Sequence, residues 1–175
     1  MKTRITKQNF VIALSLTLAL TIASLMVFGQ NKIDNQISNS VNDESSQTLV
    51  GTWQSVVTPR DCQTGAPAPS SFKALTTFNQ GGTMSEYALD PASPYRTTGH
   101  GIWKHTTGRQ YTVAWTFYTF APNGTFTGSV KVRVNKTLSH NFNSLTGDGT
   151  VEVFDPNGTV VFTGCSDETA TRFTF

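Results

Sequence analysis

Side chains capable of acid–base chemistry are few in this chain, and His100 is the best placed of them. It stands between two glycines, in Gly99-His100-Gly101, where a long loop leads into a predicted strand. Loops carry a large share of functional residues, and an imidazole can act as acid, base or hydrogen-bond partner near neutral pH. His100 and Tyr111 are therefore the candidate catalytic residues if the protein is an enzyme. The alternative is that His100 is a surface histidine at the start of a strand that the flanking glycines weaken.

The histidines and carboxylates predict neither a metal site nor a cofactor. His100 and His105 are five residues apart on a strand-like segment, so their side chains point to opposite faces. None of the histidines stands at a metal-ligand spacing such as His-x-x-x-His. The sequence also contains no Gly-x-Ser-x-Gly, no phosphate-binding loop and no Gly-x-Gly-x-x-Gly.

Aromatic residues are the richer signal, and many lie on two neighbouring predicted strands. The first strand is aromatic on both faces, with Tyr111, Trp115 and Phe117 on one and Tyr118 and Phe120 on the other. The second strand has its apolar residues on one face: Phe126, Val130, Val132 and Val134. A slip of one residue exchanges the faces of a strand. A four-residue loop places Trp115 and Phe117 beside the valines, whereas a three-residue bulged Pro-Asn-Gly loop places Tyr118 and Phe120 there. Turn chemistry slightly favours the second.

The elements that position these side chains are short strands. Val, Thr and aromatic residues predict them at 51–58, 71–78, 83–88, 101–105, 109–120, 125–136, 146–154, 159–164 and 169–175. Gly-rich turns separate them, among them Pro122-Asn123-Gly124 and Pro156-Asn157-Gly158. Short strands joined by hairpins predict an all-β fold, a single antiparallel up-and-down β-barrel of eight or nine strands. The alternative, a sandwich, would need longer crossovers.

The N-terminal segment predicts export. Residues 1–29 begin with Lys2, Arg4 and Lys7 and continue as an apolar run, the layout of a signal peptide. An uncleaved membrane anchor is the alternative, since the run could span about 30 Å of hydrocarbon. Residues 30–47 are polar and lack aromatics, which predicts a disordered linker, and the barrel domain is expected over 48–175. That domain has nine Lys or Arg and eight Asp or Glu, so its charge excludes a nucleic-acid-binding surface.

The two cysteines predict a disulfide that agrees with closure of the barrel. An even cysteine count in a small exported domain favours one structural disulfide. In an antiparallel pair, the residue numbers of opposed positions add up to a constant. Trp53 with Arg172 and Cys62 with Cys165 give nearly the same total. A pairing of the first strand with the last would therefore bring both pairs together.

The two ends of this domain resemble those of the calycins, the class of lipocalins, fatty-acid-binding proteins and avidins. Calycin barrels begin with Gly-x-Trp, here Gly51-Thr52-Trp53, and carry a basic residue in the last strand, here Arg172. The resemblance implies that Gly51 and Arg172 are structural, that Trp53 closes the barrel base and that Arg172 stacks on its indole. The domain also resembles a group of uncharacterised exported bacterial proteins, through Arg60-Asp61-Cys62, Gly99-His100-Gly101-x-Trp103 and Gly164-Cys165.

The predicted function is that of an exported lipocalin-like barrel that binds a small, mostly apolar ligand. The ligand-binding residues expected from the aromatic and valine pattern are Trp53, Trp103, Tyr111, Trp115, Phe117, Tyr118, Phe126, Val130 and Val132. The alternatives are a small-barrel enzyme of the allene-oxide-cyclase or dirigent type, and a filled barrel that acts as an envelope interaction module. No nucleic-acid partner is expected. Membrane association is expected only through an uncleaved N-terminal segment. An outward aromatic face would mark a homo-oligomer interface or a patch for another partner.

Overall fold

The computed structural model describes residues 48–175, and these form eight antiparallel strands in sequence order. The strands are β1 Gly51–Arg60, β2 Phe72–Phe78, β3 Thr83–Ala88, β4 Gly99–Thr107, β5 Gln110–Phe120, β6 Phe126–Leu138, β7 Ser144–Phe154 and β8 Val160–Arg172. The last two predicted strands are one continuous strand, β8. The predicted signal peptide and the whole predicted linker lie outside the described residues. Within residues 48–175 no helix is long and apolar enough to cross a membrane.

Each strand pairs with its sequence neighbour, and β1 also pairs with β8, so the sheet is a closed barrel. The predicted all-β up-and-down barrel is therefore confirmed, with eight strands. In the closing pair Trp53 lies opposite Arg172 and Arg60 lies opposite Cys165. Cys62 and Cys165 form a disulfide with their Cα atoms 5.2 Å apart. Both expectations drawn from the matching residue totals are confirmed.

The β5–β6 hairpin combines features of both registers considered from the sequence. Its loop closes by a hydrogen bond from the Ala121 amide to the Thr125 carbonyl, around the three residues Pro-Asn-Gly. A β-bulge then shifts the register between Thr119 and Phe120. The shift moves β5 by one residue against β6, which returns Trp115 and Phe117 to the valine face. Turn chemistry predicted the loop length correctly, but the faces follow the four-residue alternative because of the bulge.

The barrel is taller on one side than on the other. The pairing of β8 with β1 ends at Cys165, whereas β8 continues beside β7 as far as Val160. The segment 160–164 of β8 therefore rises above the end of β1. We call the rim at this end the mouth, and the opposite end, which carries Trp53, the base.

Candidate functional site

The base of the barrel is closed by Trp53 and Arg172. The Trp53 indole is fully buried, and its Nε1 donates a hydrogen bond to the Leu49 carbonyl at 2.9 Å. The Arg172 guanidinium lies 4.3 Å from the centre of the Trp53 ring, the cation–π contact that the calycin resemblance implies. Its nitrogens also donate to the carbonyls of Val50 and Thr48, at 2.6 and 2.7 Å. These contacts tie the chain leading into β1 to the end of β8.

An apolar cluster fills the base above this closure. Trp103 packs against Tyr111, with their ring centres 5.8 Å apart, and edge-on against Phe78 at 6.2 Å. Burial raises the pKa of the Tyr111 hydroxyl above its ordinary value, against the lowering effect of a hydrogen bond to the Leu49 backbone. Trp53, Trp103 and Tyr111 were predicted to contact the ligand. All three are part of the packed base.

Above the base, charged side chains face the interior in two ion pairs, which we call the charged belt. The first pair joins Lys136 of β6 to Glu168 of β8, with side chains only 2% and 8% exposed. Ser55 of β1 donates a hydrogen bond to the second oxygen of Glu168 at 2.6 Å. Buried charges are stable in proteins only when they are paired and hydrogen-bonded. Lys136 and Glu168 meet both requirements.

The second pair of the charged belt joins Glu86 of β3 to Arg96, which comes from the segment between β3 and β4. Arg96 Nη2 lies 2.5 Å from Glu86 Oε2, and the two side chains are 3% and 5% exposed. The guanidinium lies 3.4 Å from the centre of the Phe117 ring, so it stacks on an inner aromatic of β5. Burial raises the pKa of the Glu86 carboxyl, Arg96 opposes this shift, and the negative charge of Glu168 adds to it.

Two glycines of β4 make room for Trp115 beside the charged belt. A Cβ atom on Gly101 would lie 2.0 Å from the Ala114 carbonyl, and one on Gly99 would lie 2.6 Å from the Trp115 indole. Strand β4 therefore needs glycine at both inward positions for the indole to cross it. The Trp115 Nε1 is buried beside Glu86 and has no partner in hydrogen-bonding geometry, although its proximity helps to lower the pKa of that carboxyl.

Between the charged belt and the rim, the tall wall of the barrel is apolar on its inner face. Phe117, Val130, Val153 and Phe162 lie opposite one another across β5, β6, β7 and β8. We call these four residues the mouth row. Trp115, Val132 and Val151 form the next inward row, and Gly164 continues it on β8. Phe162 is 60% exposed, and its ring lies over Gly164.

The structure separates the residues that the sequence singled out. Trp115, Phe117, Val130 and Val132 lie together inside the mouth half. Tyr118 and Phe126 lie on the outer surface, where their ring centres are 5.9 Å apart. They do not line the interior, because the bulge in β5–β6 turns them outward. His100 is also exposed and faces outward, opposite Ser85 and Thr116.

The charged belt was missed from the sequence, although one of its members left a signal. In β6 every second residue from Val130 to Leu138 is buried, and Lys136 occupies one of these inward positions. That alternation indicates a buried lysine. Nothing in the local pattern identifies Glu168 or Glu86 as partners, because each lies on a distant strand.

The raised pKa of Glu86 predicts how stability changes with pH. The folded protein binds a proton at Glu86 more tightly than the unfolded chain does. Its contribution to the free energy of unfolding is therefore largest below the ordinary value of 4.5 and declines as the pH rises through the folded pKa. We expect the unfolding free energy of the wild type, minus that of Glu86→Gln, to fall in urea titrations as the pH rises above the ordinary value of 4.5. The exposed Glu152→Gln serves as control, and a difference that stays flat or rises with pH contradicts the assignment.

The remaining surface features do not add to the interior site. Two concavities of about 500 and 420 Å³ lie against mostly outward-facing residues, with Gln54, Val56 and Thr171 common to both. Within residues 48–175, no three His, Cys, Asp or Glu side chains come together in a group that could hold a metal ion.

Similarity to known proteins is found among solved structures. No protein-family model and no curated protein matches the chain. Among solved structures, the chain is similar to the S-type phycobiliprotein lyase CPES from Guillardia theta. The two are 11% identical with a TM-score of 0.36, over 77% of this chain and 93% of the lyase chain.

Proposed function

We propose that this protein is an exported barrel that binds one small, mostly apolar molecule through its mouth. The mouth row carries the proposal. It is a continuous apolar surface on the concave side of the tall wall, and its outermost member, Phe162, is 60% exposed. Ligand sites are typically concave and mostly apolar, with a few polar groups that fix orientation. The mouth row with the charged belt beneath it has this composition.

The shape of the rim supports the same proposal. On the β1 side the wall ends at Arg60, which is held by Asp148 and Asp167. On the β8 side the wall continues to Phe162 and beyond. An apolar molecule approaching from the low side would meet the inner face of the tall wall first. Burying the exposed ring of Phe162 would then contribute to binding, at about 25 cal/mol for each Å² of apolar surface removed from water.

The binding proposal accounts for the structure better than the enzyme alternative. His100 faces outward, and Tyr111 belongs to the packed base, so neither candidate lies beside the mouth row. The four charged groups of the belt are engaged with one another. The proposed export is supported by the Cys62–Cys165 disulfide, since such bonds persist in oxidising compartments.

Gly164→Leu tests the proposed site. Gly164 is not held in a left-handed conformation, and an added Cβ would meet only the edge of the movable Phe162 ring, at 3.0 Å. The leucine side chain would occupy the space beside Val151 and displace Phe162. We expect the affinity for a neutral apolar fluorophore, N-phenyl-1-naphthylamine, to fall at least about tenfold, the equivalent of about 1.4 kcal/mol.

The matched control is Thr163→Leu, an exposed, outward-facing neighbour on the same strand. It adds a leucine without changing the interior, so its affinity should equal that of the wild type. Native mass spectrometry of freshly purified protein should also show a co-purified small molecule that Gly164→Leu loses. A wild type that carries no ligand and binds no fluorophore contradicts the proposal and favours the filled-barrel alternative.

A further inference from the structure

We infer that the molecule bound in the barrel is electrically neutral and carries an oxygen acceptor, as an alcohol, ketone or ester does. This inference rests on the proposed function and adds the chemical class of the ligand. Its basis is the charged belt, where Glu86 with Arg96 and Lys136 with Glu168 face the interior as two closed pairs. The belt holds two positive and two negative groups, so its formal charge balances.

Neither pair leaves a charge free for a ligand. The carboxylate of Glu168 accepts from Lys136 with one oxygen and from Ser55 with the other. Arg96 binds Glu86 and donates from Nε to the Thr97 carbonyl at 3.2 Å. With side chains no more than 8% exposed, all four groups are shielded from water.

Three further arginines are also engaged. Arg60 binds Asp148 and Asp167 at the rim. Arg172 is held by backbone carbonyls beneath Trp53. Arg133 binds Glu152 on the outer face. A carboxylate ligand reaching the belt would therefore have to break an existing pair to obtain a positive partner.

A charged head group is disfavoured because it would lose its hydration without gaining a free counter-charge. Desolvating an ion without a partner costs far more than desolvating a hydroxyl or a carbonyl. A neutral oxygen, by contrast, meets one donor that belongs to neither ion pair. The buried Trp115 Nε1 lies beside the belt without a partner in hydrogen-bonding geometry. Its neighbours on the adjacent strands, Val132 and Val151, are apolar and would contact the carbon chain of such a ligand.

Three probes with the same carbon chain test the inference on the full-length wild type. Decan-1-ol, decanoate and decylammonium would each compete with N-phenyl-1-naphthylamine near neutral pH. We expect decan-1-ol to displace the fluorophore at a concentration at least about tenfold lower than either ion, as the desolvation cost of an unpaired charge requires. Equal displacement by all three overturns the inference and leaves the proposed function standing. Failure of the fluorophore itself to bind is the separate outcome that contradicts the proposed function.

A charge variant asks whether the belt sets this preference. Glu86→Gln removes the partner of Arg96 and leaves a positive charge in the interior, so decanoate should gain at least about tenfold in affinity relative to decan-1-ol. The control is Glu152→Gln, which frees the outward-facing Arg133 and should leave the affinity of decanoate relative to decan-1-ol unchanged. The same gain in both variants, or in neither, overturns the assignment to the belt. If Glu86→Gln does not fold, the wild-type probe series decides alone.

Discussion

Replacing Lys136 with methionine should lower the free energy of unfolding by about 3–5 kcal/mol, the usual cost of removing one partner of a buried ion pair. The variant leaves the Glu168 carboxylate buried, with Ser55 as its remaining hydrogen-bond partner. The charge of Glu168 also acts on Glu86, so the loss of the lysine leaves two acids that repel each other with one positive charge fewer in the belt. Methionine keeps most of the lysine volume, which separates the effect of charge from that of a cavity.

Urea titration of matched variants measures this cost. Arg133 lies three residues before Lys136 on the same strand and binds Glu152, but this pair is 45% and 32% exposed. Arg133→Met should therefore cost only about 0–1 kcal/mol, as exposed ion pairs do. In Lys136→Met with Glu168→Met the orphaned charge is gone, and much of the stability should return. If Lys136→Met costs no more than Arg133→Met, the belt pair does not stabilise the fold.

Closure of the barrel could be predicted from the sequence because the residue numbers of opposed positions in an antiparallel pair add up to a constant. Two independent pairs, Trp53 with Arg172 and Cys62 with Cys165, had to fit one register, and both do. The faces of β5 were harder, because a single bulge reverses them. The Pro-Asn-Gly turn determines the register only of the residues nearest to it. The bulge lies beyond the turn and depends on how the inner face packs.

The candidate site could be predicted only for residues that repeat with the strand period. The inward valines of β6 and the aromatics of β5 have this signature, and they form half of the mouth row. The pairing of Glu86 with Arg96 has no such signature, because Arg96 comes from a segment outside the strands. The two glycines that flank His100 mark the strand entry in the sequence but do not reveal what they make room for. Their role is steric, since Gly99 and Gly101 give the Trp115 indole room to cross β4.

Removing the disulfide is expected to have the other large effect. Cys62→Ser should cost about 2–4 kcal/mol, since the bond joins residues far apart in sequence and restricts the unfolded chain. The separation of 103 residues spans most of the barrel. The location of the bond also matters, because Cys165 is the first residue of β8 in chain order that pairs with β1. The bond fixes the segment after β1 to the point where the tall wall begins.

Urea unfolding of wild type and Cys62→Ser, with and without reductant, separates the bond from the side chain. Under oxidising conditions the wild type should be more stable, and reductant should bring it to the level of the variant. A second comparison uses Cys62→Ser with Cys165→Ser, which removes any effect of a free Cys165 thiol. Equal stability of all three proteins under oxidising conditions would show that the pairing of β1 with β8 holds the barrel closed by itself. Because strand pairing alone does not restrict the unfolded chain as a covalent link does, we expect the oxidised wild type to be the most stable of the three.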